Sequence, residues 1–369
     1  MAFETGKIKI AGFRVIYGPS TIGRVYEQAT ERCHVKGMDM DLRYCQPATA
    51  GMPLPPTQWL EFAREEADAV FFGFPPDFKA LGELFGQLAM ELGKPVIPVT
   101  PDVAAMGTMP AEIIERALNY HAYGGQENIE QFLCWLGELA GKVPAGTSHA
   151  PRELPWAGIH HPGAGRCYTD IETYLTWYKK RKPLVGLLFP RIFWVEENLA
   201  TYDAIIHEIE SRGAGVIPVF SDGWFGRVRN DDIIRRFFMR DNQARIEALV
   251  AYSAFFLKSR QKQAAIEQDS AVDVLKQLNV PILKMIHAAR QTEEQWRADP
   301  QGLNLPQVIV SISLPEFDGL IEPILVGGAE GTGDYVPAEP FPGQVPYLVD
   351  RMMQWIALRH KTNAEKKVA

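Results

Sequence analysis

Short, nearly all-apolar runs alternate along most of this chain with segments of helical periodicity, and that alternation restricts its fold more than any other feature. Lys7–Tyr17 reads as a strand, Thr21–Arg32 as a helix and Met38–Tyr44 as a second strand. Thr57–Glu66 suits a helix, Ala67–Phe74 a buried strand, Ala80–Leu92 a helix ending at Gly93, and Lys94–Thr100 another strand. Helices around Glu112–Tyr120 and Asn128–Leu139 close this first series. From Gly141 to Pro155 the chain turns to Pro, Gly, Ser and Thr without an apolar face, which reads as a linker or long crossing loop.

The alternation then resumes. Pro183–Phe189, Gly215–Phe220, Ala248–Ala254, Val280–Ile286, Gln307–Leu314 and Ile321–Val326 read as strands, with helices at Asn198–Ser211 and Val272–Leu278. A Gly- and Pro-rich loop, Gly327–Pro346, precedes an amphipathic helix at Tyr347–Lys361. Apolar strands separated by helices demand a parallel sheet covered on both faces. The expected fold is therefore α/β, with two Rossmann-like or flavodoxin-like doubly wound lobes and a C-terminal helix. The expected boundaries are residues 1–140 for the first lobe, 141–156 for the linker, 157–340 for the second lobe, and 341–369 for the helix and the start of a further strand. The last residues, Lys366-Lys367-Val368-Ala369, resemble the lead-in to a buried strand at Lys94–Ile97, so the sequence reads as stopping within an element.

Composition narrows the partners. The 369 residues suffice for two or three domains, and a hydrophobic share of 46% with 22% charged residues is that of a globular protein. No apolar run approaches the ~18 residues of a membrane helix, and the N-terminus lacks a signal-peptide pattern. A net charge of −7 argues against nucleic acid as main partner; the basic clusters at 179–182, 235–240 and 258–262 read as solvated faces. Cys33, Cys45, Cys134 and Cys167 show no zinc-ligand spacing and fit a reducing cytoplasm.

Several motifs suggest chemistry. Gly18–Val25 lies between a strand and a helix, where a phosphate loop would be, but Arg24 and Val25 stand where Lys and Ser or Thr are needed. A turn capped by Ser20 or Thr21 is the better reading. The Gly327–Gly333 loop is followed by no helix, so any ATP is expected on another chain. His160-His161 can ligate a divalent metal or take protons near neutral pH, although adjacent histidines usually point apart, and a structural pair is the simpler reading. Trp156, Tyr168, Tyr174, Trp177, Tyr178, Phe189, Phe193, Trp194 and Trp224 form an aromatic-rich stretch, with Arg166, Arg191 and Arg227 close by in sequence. Core packing explains most of these rings, but a flat ligand with carboxylates would need such faces and such arginines. Glu316 and Asp318 follow the apolar run Val308–Leu314, where strand ends line a crevice, and could serve as base or metal ligand; a simple turn explains them equally well.

Five stretches together resemble the large subunit of cobaltochelatase (CobN type) and the related large component of magnesium chelatase. They are YHAYGGQEN (120–128), GIHHP with YLTWY (158–162, 174–178), VGLLFPRIFW (185–194) running on to Val216–Phe220, TEEQW…GLNLPQVIVSISLPE (292–316) continuing to Pro323, and LRHKTNAEKKVA (358–369). Residues between Phe220 and Leu275 depart from the family pattern, Tyr252–Lys262 above all. The resemblance implies ATP-dependent insertion of a divalent metal, cobalt narrowly ahead of magnesium, into a tetrapyrrole. It implies AAA+ partner subunits that carry ATP and Mg, and a C-terminal part of the large subunit beyond this sequence. Metal insertion requires a base for the pyrrole N–H protons, metal ligands and a shaped pocket. Here Arg191, Trp194, His160 and His161 are the expected substrate contacts, His160 and His161 the metal candidates, and Glu316 and Asp318 the catalytic candidates. The competing readings are a non-catalytic tetrapyrrole-binding or regulatory module, and an unrelated two-domain α/β transferase.

Overall fold

The structure is a computed structural model describing residues 6–16, 20–47, 54–75, 77–106, 109–179, 182–223, 227–253, 257, 272–288, 291–328, 336–362 and 365–366. Gly18, Pro19, Trp224 and residues 258–262, 329–333 and 367–369, all singled out in the sequence, lie outside the described residues. The chain divides into two units. The first runs to Leu154 and includes Val195–Glu197 and Val336; the second holds most of the chain from Pro155 onward.

In the first unit, β1 (Ile8–Arg14), α1 (Ile22–Val35), β2 (Met40–Cys45), α2 (Thr57–Glu61), β3 (Ala69–Gly73), α3 (Lys79–Glu91) and β4 (Val96–Pro98) alternate, followed by α4 (Ala111–Tyr123) and α5 (Gln126–Leu139). The four strands are parallel in the order β2-β1-β3-β4. Successive strand residues point to opposite faces. Ile8, Ile10, Ala69 and Phe71 accordingly pack with α1, α4 and α5, while Ala11, Phe13, Val70 and Phe72 pack with α2 and α3. Gly12 on β1 is required by space, because a Cβ there would lie 2.3 Å from the Phe71 ring.

Gly124 and Gly125 join α4 to α5 with φ of 63° and 82°, values that favour glycine. Asn128 in the next turn donates from Nδ2 to the carbonyls of Gly124 and Arg152, and its Oδ1 accepts from Arg152 N–H, all at 2.8 Å. Residues 141–154 belong to this unit. They are held along α5 by Asn128, by Glu138 on Ser148 N–H and by Gln131 on His149 N–H.

The second unit contains β5 (Ala157–Ile159), α6 (Ile171–Tyr178), β6 (Leu184–Pro190), the short turn α7 (Arg191–Val195), α8 (Ala200–Ser211), β7 (Gly215–Ser221) and α9 (Asn230–Phe238). A two-residue hairpin pair, β8 (Met239–Arg240) and β9 (Gln243–Ala244), leads to β10 (Ala248–Tyr252), α10 (Val272–Leu278) and β11 (Ile282–Ala288). Then come α11 (Glu293–Ala298), α12 (Leu305–Val308), α13 (Leu314–Glu316), β12 (Pro323–Gly328), β13 (Glu339–Pro340) and α14 (Gln344–Arg359). The sheet order is β13-β12-β11-β10-β6-β7-β5; its five central strands are parallel and both edges antiparallel. Numbered along the chain, the parallel strands run 2-1-3-4-5, the flavodoxin-like doubly wound order. Val185, Leu187 and Phe189 of β6 face α8 and α14, whereas Leu184 and Leu188 face α6, α9 and α10.

One expected strand is helical. Residues 305–316 form α12, a π turn at Ile309–Ser313 and α13. The alternating Val, Ile and Ser residues suggested an extended run, but the ends decide otherwise. Asn304 caps the segment by accepting Gln307 N–H at 3.0 Å, and Pro306 sits in the first turn, where its missing N–H costs nothing. Pro315 cannot donate to the carbonyl four residues back, and the chain widens so that Leu314 N–H reaches Ile309. Among the described residues, no helix is long and apolar enough to cross a membrane.

Candidate functional site

In a doubly wound sheet, ligands bind beyond the carboxyl ends of the strands, where the winding reverses. In the second unit the chain passes from β6 to β7 on one side and returns to β10 on the other, so the reversal falls between β6 and β10. Arg191 is the first residue after β6. Pro190 and Ser221 are register partners, so Asp222, the first residue after β7, stands beside Arg191 on the rim.

Arg191 is 2% exposed; its Nε donates to Pro155 O at 2.7 Å, and its guanidinium lies 4.6 Å from the Trp156 ring centroid. Arg227, exposed, lies 5.0 Å from the same ring. Trp156 reaches this rim because β5 runs antiparallel to β7, and Trp156 O accepts Asp222 N–H at 2.9 Å. Burial pushes the Asp222 carboxyl up to about 6, opposed by Arg191 and then Arg227.

The rim is braced from below. Ser221 Oγ donates to Asn230 Oδ1 at 2.7 Å and accepts Gly223 N–H at 3.0 Å. Asn230 Nδ2 donates to Leu257 O at 2.6 Å, and Leu257 N–H donates to Asp318 Oδ2 at 2.6 Å. Gly223 has no substitute here, since a Cβ would meet Asn230 Oδ1 at 2.1 Å. On β11, the fully buried Lys284 donates to Ser253 O, and burial brings its ammonium down to about 7. His287, near the end of the same strand, is boxed by Phe193, Tyr202 and Tyr252 at ring distances of 5.3–5.6 Å. Among the described residues, neither of its ring nitrogens has a hydrogen-bond partner, and burial lowers its pKa to about 3.

The structure separates the residues expected to act together. The direction of β5 that brings Trp156 to the rim carries His160 and His161 away from it. His160 N–H donates to Pro218 O, three residues before Ser221, and its Nε2 is 2.8 Å from Asp203 Oδ1 on α8. His161 Nε2 is 3.4 Å from Glu210 Oε1, which also accepts from Tyr178 OH, and burial lowers the His161 pKa. Among the described residues, no group of three or more His, Cys, Asp or Glu could hold a metal ion. Trp194 lies one turn beyond Arg191 and stacks one face on Phe220 at 4.2 Å and 6°.

Tyr174 and Tyr178 stack on each other at 5.1 Å, with Tyr174 OH bonded to Val216 O, so this part of the aromatic stretch is core. Arg166 lies over Tyr168. Glu316 is exposed at the end of a helix, not at a strand end, and Asp318 spends an oxygen on the Leu257 backbone. Both lose the strand-end premise on which they were chosen. Asp222 met that premise and was missed, although Val219-Phe220-Ser221-Asp222-Gly223 carries the same signal of an apolar strand followed by Asp-Gly.

In the first unit, the N-terminus of α1 is taken by a carboxylate of the chain itself. Glu196 accepts Ser20 OH and Thr21 N–H, both at 2.9 Å, and its backbone carbonyl accepts Thr21 OH at 2.8 Å. The anion position that a phosphate loop would offer is thus filled.

The CobN/magnesium chelatase family model matches residues 118–369. The chain is 32% identical over 230 residues to the magnesium-chelatase protein ChlH of Oryza sativa subsp. indica, covering 58% of this chain and 16% of that protein. It is 24% identical over 284 residues to the aerobic cobaltochelatase protein CobN of Sinorhizobium sp., covering 73% and 21%. Among solved structures, the catalytic subunit of cobaltochelatase from Mycobacterium tuberculosis aligns with 98% of this chain and 28% of its own, with a TM-score of 0.60 and 17% identity, a likeness of fold. This chain therefore spans less than a third of each of these proteins. An unrelated transferase is excluded by the same match, and the chain belongs to the CobN/magnesium chelatase family.

Proposed function

We propose that this chain works as part of a CobN/ChlH-type chelatase large subunit and supplies one wall of the tetrapyrrole site in ATP-driven insertion of a divalent metal. The observation that carries this reading is the family match across the second unit, together with Arg191, Arg227 and Trp156 gathered at the carboxyl ends of β6 and β7, on the β7 side of that unit's winding reversal. Guanidinium groups meet carboxylates through paired, charge-assisted hydrogen bonds, and an indole face packs on a flat macrocycle.

The metal is a substrate. Among the described residues no three His, Cys, Asp or Glu gather as a ligand set, so His160 or His161 would hold it only with ligands supplied from elsewhere. The sequence motifs are shared by the cobalt and magnesium branches, so reconstitution with each ion decides between them. Nucleotide belongs on AAA+ partners, which fits the occupied N-terminus of α1. His160 and His161 remain proposed substrate contacts only through a ligand broad enough to extend from the rim to the β5 edge.

Titrating the purified chain with protoporphyrin or a corrin precursor tests the reading. A Soret shift or fluorescence quenching is expected. Arg227→Ala, an exposed change that leaves the core intact, weakens binding about tenfold, the scale of one lost charge-assisted contact. Absence of any spectral change with either ring would sink the proposal.

A further inference from the structure

Two basic clusters that read as solvated faces in the sequence, 179–182 and 235–240, contribute to one cavity in the second unit. The cavity, about 260 Å³ in volume, lies at the amino ends of β6 and β10, the opposite end of the sheet from Arg191 and Trp156. Three cations line it, each from a different place in the chain. Lys182 stands two residues before β6, Arg240 ends β8 and Arg245 follows β9.

The hairpin brings the two arginines there. Asp241 and Asn242 take φ of 51° and 61°, the left-handed pair that closes a two-residue turn with the twist of its strands, and Arg240 pairs with Gln243 across it. Arg245 is fastened, with Nε donating to Met239 O at 3.1 Å and Nη1 to Glu172 Oε1 at 3.0 Å. Two carboxylates also line the cavity, and both are engaged: Glu172 with Arg245, and Glu247 with His360 at 3.2 Å. Asp241, 3.6 Å from Arg240, has a side chain 92% exposed, and such pairs contribute little. The lining therefore carries an excess of positive charge. Leu175, Pro183, Leu184 and Ala244 complete it with an apolar surface.

We propose that this cavity binds a phosphate monoester, with the phosphoryl oxygens on Lys182, Arg240 and Arg245 and the organic part of the ester on the apolar lining. A phosphoryl group carries three terminal oxygens, which can meet donors arriving from three elements, whereas the two coplanar oxygens of a carboxylate suit a single guanidinium. Its charge of nearly two units at neutral pH also answers more than one cation. The cavity and the Arg191 rim stand at opposite ends of β6, so phosphate binding and tetrapyrrole binding can be measured apart.

Calorimetric titration of the full chain with phenyl phosphate, inorganic phosphate and benzoate is the test. Phenyl phosphate is expected to bind about tenfold tighter than either of the others, because benzoate lacks the third oxygen and the second charge and inorganic phosphate lacks the apolar part. Arg240→Gln, a change at an exposed side chain, weakens phenyl phosphate about tenfold. Glu247→Gln takes a negative charge out of the lining and tightens phenyl phosphate about threefold, a gain that misfolding cannot produce. Benzoate binding as tightly as phenyl phosphate overturns the assignment to phosphate, and inorganic phosphate binding as tightly overturns the assignment to an ester. Absence of heat with all three ligands, or a phenyl phosphate affinity unchanged in both variants, overturns the site itself.

Discussion

His121 shows how a residue that looks catalytic can be structural. Its Nδ1 faces Ala117 O at 2.9 Å and so must carry the hydrogen, leaving Nε2 to accept from Tyr26 OH at 2.7 Å. Burial first, and then Arg14, hold its pKa down to about 3. His287 in the other unit is held equally low by burial. A histidine whose folded pKa lies below its unfolded value of ~6.5 binds its proton only on unfolding. Stability is therefore intact above pH ~6.5 and falls as the pH drops from there toward 3, by as much as about 1.4 kcal/mol per pH unit for each group. A melting temperature that declines between pH 7 and 5, with a shallower decline in His287→Phe, is the expected result. A decline of identical slope in that variant would remove His287 from the account.

Asn128 belongs to the same scale. Its amide makes three buried or half-buried hydrogen bonds, two that tie residue 152 to α5 and one to Gly124 O, and Asn128→Ala should cost about 2–4 kcal/mol, seen as a lowered denaturant midpoint. The sequence singled out YHAYGGQEN, and its residues prove to hold a turn and a strap. The role of Asn128 was not legible, because its partner lies 24 positions away.

At the scale of elements, most strands were readable because buried parallel strands leave nothing but apolar side chains in short runs, as in Ala69–Gly73 and Leu184–Pro190, where every residue is buried. The helical 305–316 segment was not, since β-branched residues such as Val308, Ile309, Val310 and Ile312 suit an extended chain and only Asn304 and the two prolines mark the helix ends. Helix α1 illustrates a third case. Arg24 and Val25 argue against a phosphate loop at Gly18–Val25, but no local signal identifies Glu196, 175 residues away, as the group filling the helix end. Glu196→Ala strips Ser20 OH and Thr21 N–H of their acceptor in a buried place and should destabilise the chain by about 2–3 kcal/mol, read from urea unfolding. A loss below about 0.5 kcal/mol would mean that water replaces the carboxylate freely.

For the whole molecule, the same strand order, 2-1-3-4, recurs in both sheets and is extended by a fifth parallel strand in the second. Such sheets gather at one rim residues that are distant along the chain, here Trp156, Arg191, Asp222 and Arg227. Arg191 and Trp156 could be suspected from their types, but their meeting depends on β5 running against β7, which three apolar residues, Ala157–Ile159, do not announce. The same strand direction bears on metal binding. It places His160 and His161 against Asp203 and Glu210, carboxylates two turns apart on α8, as two separate pairs instead of one ligand set. A first-row metal needs several convergent nitrogen, oxygen or sulfur ligands to bind tightly. Titration of the chain with Co²⁺ should therefore give no intense visible band of a tetrahedral site, and His160→Ala should leave the spectrum unchanged. A strong band that disappears in His160→Ala would place the metal at the β5 edge, and the rim would then be the wrong end of the sheet at which to look for the chemistry.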